Sequence, residues 1–95
     1  MKIELISDDI LKKESNIYIK GIKLVNKVRL DYATDKHSSF LVDHDGKIHN
    51  VMYFSEKNDM KRWQCDCKWY TLHDKICSHI IAVNLALRDK KIVGV

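Results

Sequence analysis

The stretch Cys65-Asp66-Cys67-Lys68-Trp69-Tyr70-Thr71-Leu72-His73-Asp74-Lys75-Ile76-Cys77-Ser78-His79 decides the reading of this chain. It holds all three cysteines of the 95-residue sequence, and a histidine follows two positions after the last one. Three sulfurs and one imidazole nitrogen make a complete tetrahedral donor set for one structural Zn²⁺. Four protein ligands leave no position for water, so Lewis-acid catalysis is not expected. Copper(I) is the alternative ion, because paired thiolates also suit a soft cation. His73, inside the loop, is the alternative fourth ligand. A cysteine nucleophile paired with a histidine would waste two cysteines and has no acid placed to orient the base.

The spacing also assigns local structure. Residues i and i+2 of a strand point to one side, so Cys65 and Cys67 can present both sulfurs from a strand end. Two helical residues turn about 200°, so Cys77 and His79 cannot face one way inside a helix. Cys77 must therefore precede a helix, near its N-cap, with His79 in the first turn. The partial positive charge of that helix end helps hold thiolates. Residues 68–76 form a loop over the metal.

Downstream, residues 79–88 are helical by pattern, with Asn84 and Arg88 as the polar wedge. A helix apolar nearly all round is buried on more than one side. Either the short N-terminal helix that starts at Ser7 covers it, the commoner intramolecular case, or Ile81 or Leu85 meets a partner chain. Upstream, His44-Asp45-Gly46-Lys47 separates two apolar runs, 39–43 and 48–54; Asp-Gly there is a strong hairpin signal. From Gly21 the period is two, with Ile22, Leu24, Val28, Leu30 and Tyr32 on one parity, which predicts a strand with one wet face. Met60 to Cys65 adds a fourth strand. Ser7-Asp8-Asp9 before Ile10-Leu11 predicts a short helix with acids in its first turn. The expectation is one domain over residues 1–95. It is an α+β fold with a small antiparallel sheet of 3–4 strands, a short N-terminal helix and a C-terminal helix. Residues 1–59 supply the first helix and strands; residues 60–90 form a zinc module joining the last strand to the last helix.

Composition narrows the function classes. The chain is 45% hydrophobic and 32% charged, ordinary for a globular protein, and no apolar run is long enough to span a bilayer. Met1-Lys2-Ile3-Glu4 turns acidic at once and lacks the apolar run of a leader, so a cytoplasmic, reducing location is expected. The net charge is +4. Residues 1–59 carry ten bases against ten acids, so the whole excess lies in residues 60–95. A local basic excess is what a phosphate backbone exploits. Trp63, Trp69 and Tyr70 interleave with these bases. Trp63 shares parity with Cys65 and is expected in the core. Lys61, Arg62, Lys68, Trp69 and Lys75 are the candidate nucleic-acid contacts, with Trp69 as a stacking residue on a metal-anchored loop. His37, His44 and His49 fall in or beside the hairpin and read as polar-face residues. No carboxylate pair, nucleophile–base pair or phosphate loop is visible, so no enzyme activity and no small-molecule substrate are expected.

At these residues the sequence resembles the SWIM zinc finger, a family defined by Cys-x-Cys, a variable gap, and Cys-x-His. Cys65, Cys67, Cys77 and His79 match the four ligands one by one. The run His79-Ile80-Ile81-Ala82-Val83 is similar to the start of the family's helix, and Tyr70 falls where an aromatic is common. Lys68 stands where a proline is frequent, and Asp74-Lys75-Ile76 replaces a usual Gly-x-Pro. The resemblance implies a zinc-stabilised module that contacts DNA or other proteins. It also implies an alternative role without direct DNA contact: an interaction subunit of a recombination or repair assembly, partnering a RecA-like paralogue.

Overall fold

The computed structural model of the chain describes residues 3–58 and 61–92. The elements in order are α1 (Asp8–Leu11), α2 (Ser15–Lys23), a 3₁₀ turn (Val25–Lys27), β1 (Val28–Ala33), β2 (His37–His44), β3 (Lys47–Phe54), β4 (Trp63–Cys65), α3 (Lys68–His73) and α4 (Ser78–Arg88). The four strands form one antiparallel sheet in the order β1-β2-β3-β4. The expected α+β class and small antiparallel sheet hold, with four strands of the three to four expected.

The hairpin between β2 and β3 closes at Asp45 and Gly46, whose φ angles are 54° and 81°. Two successive positive φ values match the right-handed twist of the flanking strands, and Asp and Gly tolerate them. The turn sets the register His44↔Lys47, Val42↔His49 and Phe40↔Val51. Phe40, Val42 and Val51 therefore share the inner face and are fully buried under α4. Trp63 pairs with Tyr53 and is buried, as its parity with Cys65 predicts. β4 begins at Trp63; Met60, the expected start of that strand, lies outside the described residues.

Two expectations are corrected here. The period-two reading from Gly21 places a strand too early: residues 15–23 are helical, and β1 begins at Val28. The alternation of Ile22 and Leu24 mimics a strand, but Ile22 is 47% exposed. Gly21 instead faces α4, where a Cβ would stand 2.5 Å from Ile81 Cγ2. Only the missing side chain lets the two helices approach this closely. The second correction follows from it. Ile81 and Leu85, candidate partner-interface residues, are 1% and 3% exposed, because α2 packs along α4 and closes its outer side.

The segment before α1 seals the remaining edge. Asn84, the polar wedge of α4, is buried; its Oδ1 accepts the Ile6 N–H at 2.8 Å and its Nδ2 donates to Ile80 O at 2.9 Å. The Glu4 N–H donates to the Tyr53 hydroxyl at 3.0 Å. A buried amide group needs partners for both ends, so Asn84 fixes where the N-terminal segment crosses α4.

Candidate metal centre

Cys65 is the last residue of β4, held opposite Val51. Asp66 then ties the next step of the chain to β3. Its N–H donates to Asn50 O at 3.2 Å, and its Oδ1 accepts the Asn50 N–H at 3.1 Å. Cys67 follows as the N-cap of α3, with its Sγ accepting the Tyr70 N–H at 3.4 Å. Cys77 is the N-cap of α4, and His79 lies in that helix's first turn. The chain thus delivers one sulfur from a strand end, one from the cap of α3 and the other two donors from the start of α4.

These four side chains are all buried, and their ligand atoms lie within 4.8 Å of one another. His79 Nδ1 stands 3.7 Å from Cys65 Sγ and 3.8 Å from Cys77 Sγ. A tetrahedral zinc with ordinary bond lengths requires sulfur–nitrogen edges of about 3.5 Å and sulfur–sulfur edges of about 3.8 Å. The two sulfur–nitrogen distances meet that requirement within a few tenths of an ångström. Three sulfurs and one nitrogen also match zinc's preferred donors, so the residues fit one zinc ion.

The electrostatics point the same way. Cys65 facing Cys77, together with burial, pushes the Cys77 thiol up to about 12. Cys77 and burial raise the Cys67 thiol as well. Crowded buried thiols resist ionising together, whereas a dication among them reverses that preference. Ionising these thiols together therefore calls for a cation among them.

His73, the alternative ligand, lies outside this cluster. Its ring stacks on Trp69 with centroids 4.4 Å apart, and its Nδ1 is 2.9 Å from Trp69 O. Two other histidines do reach the site: His44 Nδ1 is 2.9 Å from His79 Nε2, and His49 stacks on His79 at 4.3 Å. Hairpin register carries both to the inner face. The sequence signal was their position, His44 two residues before Gly46 and His49 two residues after Lys47, which polar type alone masked.

The candidate nucleic-acid contacts surround α3. Lys68 is exposed at its first helical position, and Trp69 is half-buried beside it. Lys61 lies 3.5 Å from Asp74, and Lys75 lies 3.7 Å from Glu14. Arg62 pairs with Glu4 and donates to Lys57 O at 3.0 Å. Arg88 pairs with Asp8 at 3.0 Å. Acids of the N-terminal segment thus lie against the basic third of the chain, a long-range pairing that charge counting along the sequence cannot reveal.

Residues 49–88 match the family model of the SWIM zinc finger. No curated protein and no solved structure matches the chain. The two departures from the family's pattern have structural explanations. Lys68 occupies the first helical position of α3, where proline is favoured because its missing N–H has no partner to lose. Asp74 closes the same helix at φ 51°, ψ 40°, the left-handed conformation that glycine adopts most readily and Asp tolerates. Lysine and aspartate therefore keep the helix that proline and glycine would frame. No helix among the described residues is long and apolar enough to cross a membrane.

Proposed function

We propose that this zinc-finger chain is a nucleic-acid-binding module in which one zinc ion organises α3 as the contact element. The observation that carries the reading is the double role of Cys67, which belongs to the donor cluster and caps α3. Metal binding thereby fixes the first turn of that helix, which presents Lys68 and Trp69. Lys61, Arg62 and Lys75 stand around it. Their carboxylate partners do not preclude phosphate binding, since exposed ion pairs are worth about 0–1 kcal/mol. Trp69 supplies a ring on which a base can stack, a contact worth about 1–3 kcal/mol. DNA is the proposed partner, and the free thiols suit a reducing, cytoplasmic setting. We assign the module no catalytic activity, because four protein ligands complete the coordination of the zinc.

A second reading, a protein-interaction subunit, draws on a different feature. A groove of about 740 Å³ runs between the N-terminal segment and the zinc loop, lined by Leu5, Ile6, Ile10, Ile17 and Ile76 among others. It replaces the buried face of α4 as the apolar surface open to a partner.

The test is a fluorescence titration with a short single-stranded DNA at low and physiological salt. The nucleic-acid reading predicts affinity that falls steeply with salt, and a loss of about tenfold or more for Trp69→Ala. Salt-insensitive binding, or none at low salt, rejects it in favour of the protein partner.

A further inference from the structure

The donor cluster leaves one contact unexplained by the ligand set itself. His79 turns Nδ1 toward the sulfurs of Cys65 and Cys77, so its Nε2 faces away from them, 2.9 Å from Nδ1 of His44. We propose that His44 is the outer-sphere positioning residue of the zinc site, accepting the Nε2 proton of His79 and so holding that ligand in its Nδ1-binding tautomer. The inference rests on the zinc reading.

The proton placement follows from valence. A neutral imidazole that gives its Nδ1 lone pair to a metal carries its proton on Nε2. That N–H needs an acceptor, and His44 Nδ1 stands at the ordinary N–H···N distance. His44 must then carry its own proton on Nε2, which faces the exposed Asp45 carboxylate at 3.7 Å. A metal-bound histidine is oriented in this way by the partner of its second nitrogen, which also raises its basicity as a ligand.

Position supports the role. His44 ends β2 and pairs with Lys47, so the tight turn at Asp45 and Gly46 fixes its backbone. Asp43 Oδ1 accepts the Gly46 N–H at 3.2 Å and braces the same turn. On the other side His49 stacks on His79 with the ring planes 29° apart, and His49 Nδ1 lies 3.3 Å from Asp66 Oδ1. His79 is thus clamped on one face and hydrogen-bonded at one edge. Asp66, the residue between two ligand cysteines, joins this clamp to the donor cluster.

A competing use of the same atoms is a second metal ion held by His44, His49 and His79, whose ligand atoms lie within 4.8 Å of one another. It would require His79 to lose its Nε2 proton and bridge two ions. Two nitrogens on one tetrahedral zinc also stand about 3.3 Å apart, farther than the distance between His44 and His79.

The test compares the full-length wild type with His44→Phe and His44→Asn. Zinc affinity is read by competition with a chromophoric chelator, and the His79 tautomer by ¹⁵N NMR of the zinc-loaded chain. The wild type should bind one zinc, with His79 protonated on Nε2 and a through-hydrogen-bond coupling from that nitrogen to His44 Nδ1. His44→Phe should weaken zinc binding by about 10–100-fold. His44→Asn should recover most of the loss, because its Oδ1 can accept where Nδ1 does. Unchanged affinity in His44→Phe, two zinc ions per wild-type chain, or His79 protonated on Nδ1 would each overturn the proposal. The wild-type coupling decides the matter even if His44→Phe does not fold. A wild type that takes up no zinc at all removes the underlying zinc reading too, which separates the two failures.

Discussion

Replacing Gly21 with alanine sets two effects of opposite sign against each other. Gly21 lies inside α2, where alanine is a better helix former by about 1 kcal/mol. Packing opposes this. The new Cβ would stand 2.5 Å from Ile81 Cγ2, 2.8 Å from Ile81 Cβ and 3.1 Å from Ser78 O. Carbon atoms pack comfortably at about 3.5–4.0 Å, so roughly 1 Å of separation has to be created. Ile81 is β-branched and stiff at χ1, and the third neighbour is backbone, so a side-chain turn gives no relief. Helix α2 must move off α4, and overpacking of this kind costs about 1–3 kcal/mol. The balance predicts that Gly21→Ala destabilises the zinc-loaded chain by up to about 2 kcal/mol, measured by urea unfolding followed by circular dichroism. Adding Ile81→Ala removes the nearest atom, so the glycine substitution should cost less in that background. The clash lies next to Ser78 and His79, so zinc affinity should weaken as well. A Gly21→Ala chain more stable than the wild type refutes the close contact of α2 with α4.

Asn84→Ala removes the acceptor of the Ile6 N–H and the donor to Ile80 O; it should cost about 1–3 kcal/mol in urea unfolding and speed amide exchange at Ile6. Zinc binding should weaken as pH falls. The Cys77 thiol is pushed up to about 12 and Cys67 is raised, so without metal both hold their protons across pH 6–8 and zinc must displace them. Each displaced proton contributes about tenfold in affinity per pH unit, which chelator competition at pH 6, 7 and 8 measures. Ile81→Asp places a carboxylate at a fully buried site; circular dichroism should report an unfolded chain, whereas a folded one would contradict the burial of Ile81.

Local chemistry explains what could be read from the residues. Asp45-Gly46 has a single good use between two apolar runs, and period-two alternation then places Phe40, Val42 and Val51 inside. The cysteine spacing requires a strand end before Cys67 and a helix start after Cys77, because side-chain direction follows backbone geometry. Helix α2 escaped because Ile22 and Leu24 share parity with Val28, Leu30 and Tyr32 and so extend the strand pattern backwards, and its N-cap, Glu14, makes no side-chain capping bond. Its helical state comes from docking on α4, a tertiary effect. Helix α3 escaped because six residues carry too little periodicity to detect, although Cys67 caps it. His44 and His49 acquire meaning only once hairpin register sets them against His79. Likewise Glu4, Asp8 and Glu14 meet Arg62, Arg88 and Lys75 only after the chain has folded back on itself.

Structural zinc contributes about 10–16 kcal/mol of apparent binding free energy to small modules, so removing the metal is expected to unfold this chain. The central claim is that Cys65, Cys67, Cys77 and His79 together hold one zinc ion. X-ray absorption at the zinc edge of the purified chain, with metal content measured on the same sample, tests it most directly. One zinc per chain with three sulfurs at about 2.3 Å and one nitrogen at about 2.0 Å is the predicted result. A folded chain without zinc, or a zinc shell of two sulfurs and two nitrogens, would contradict it.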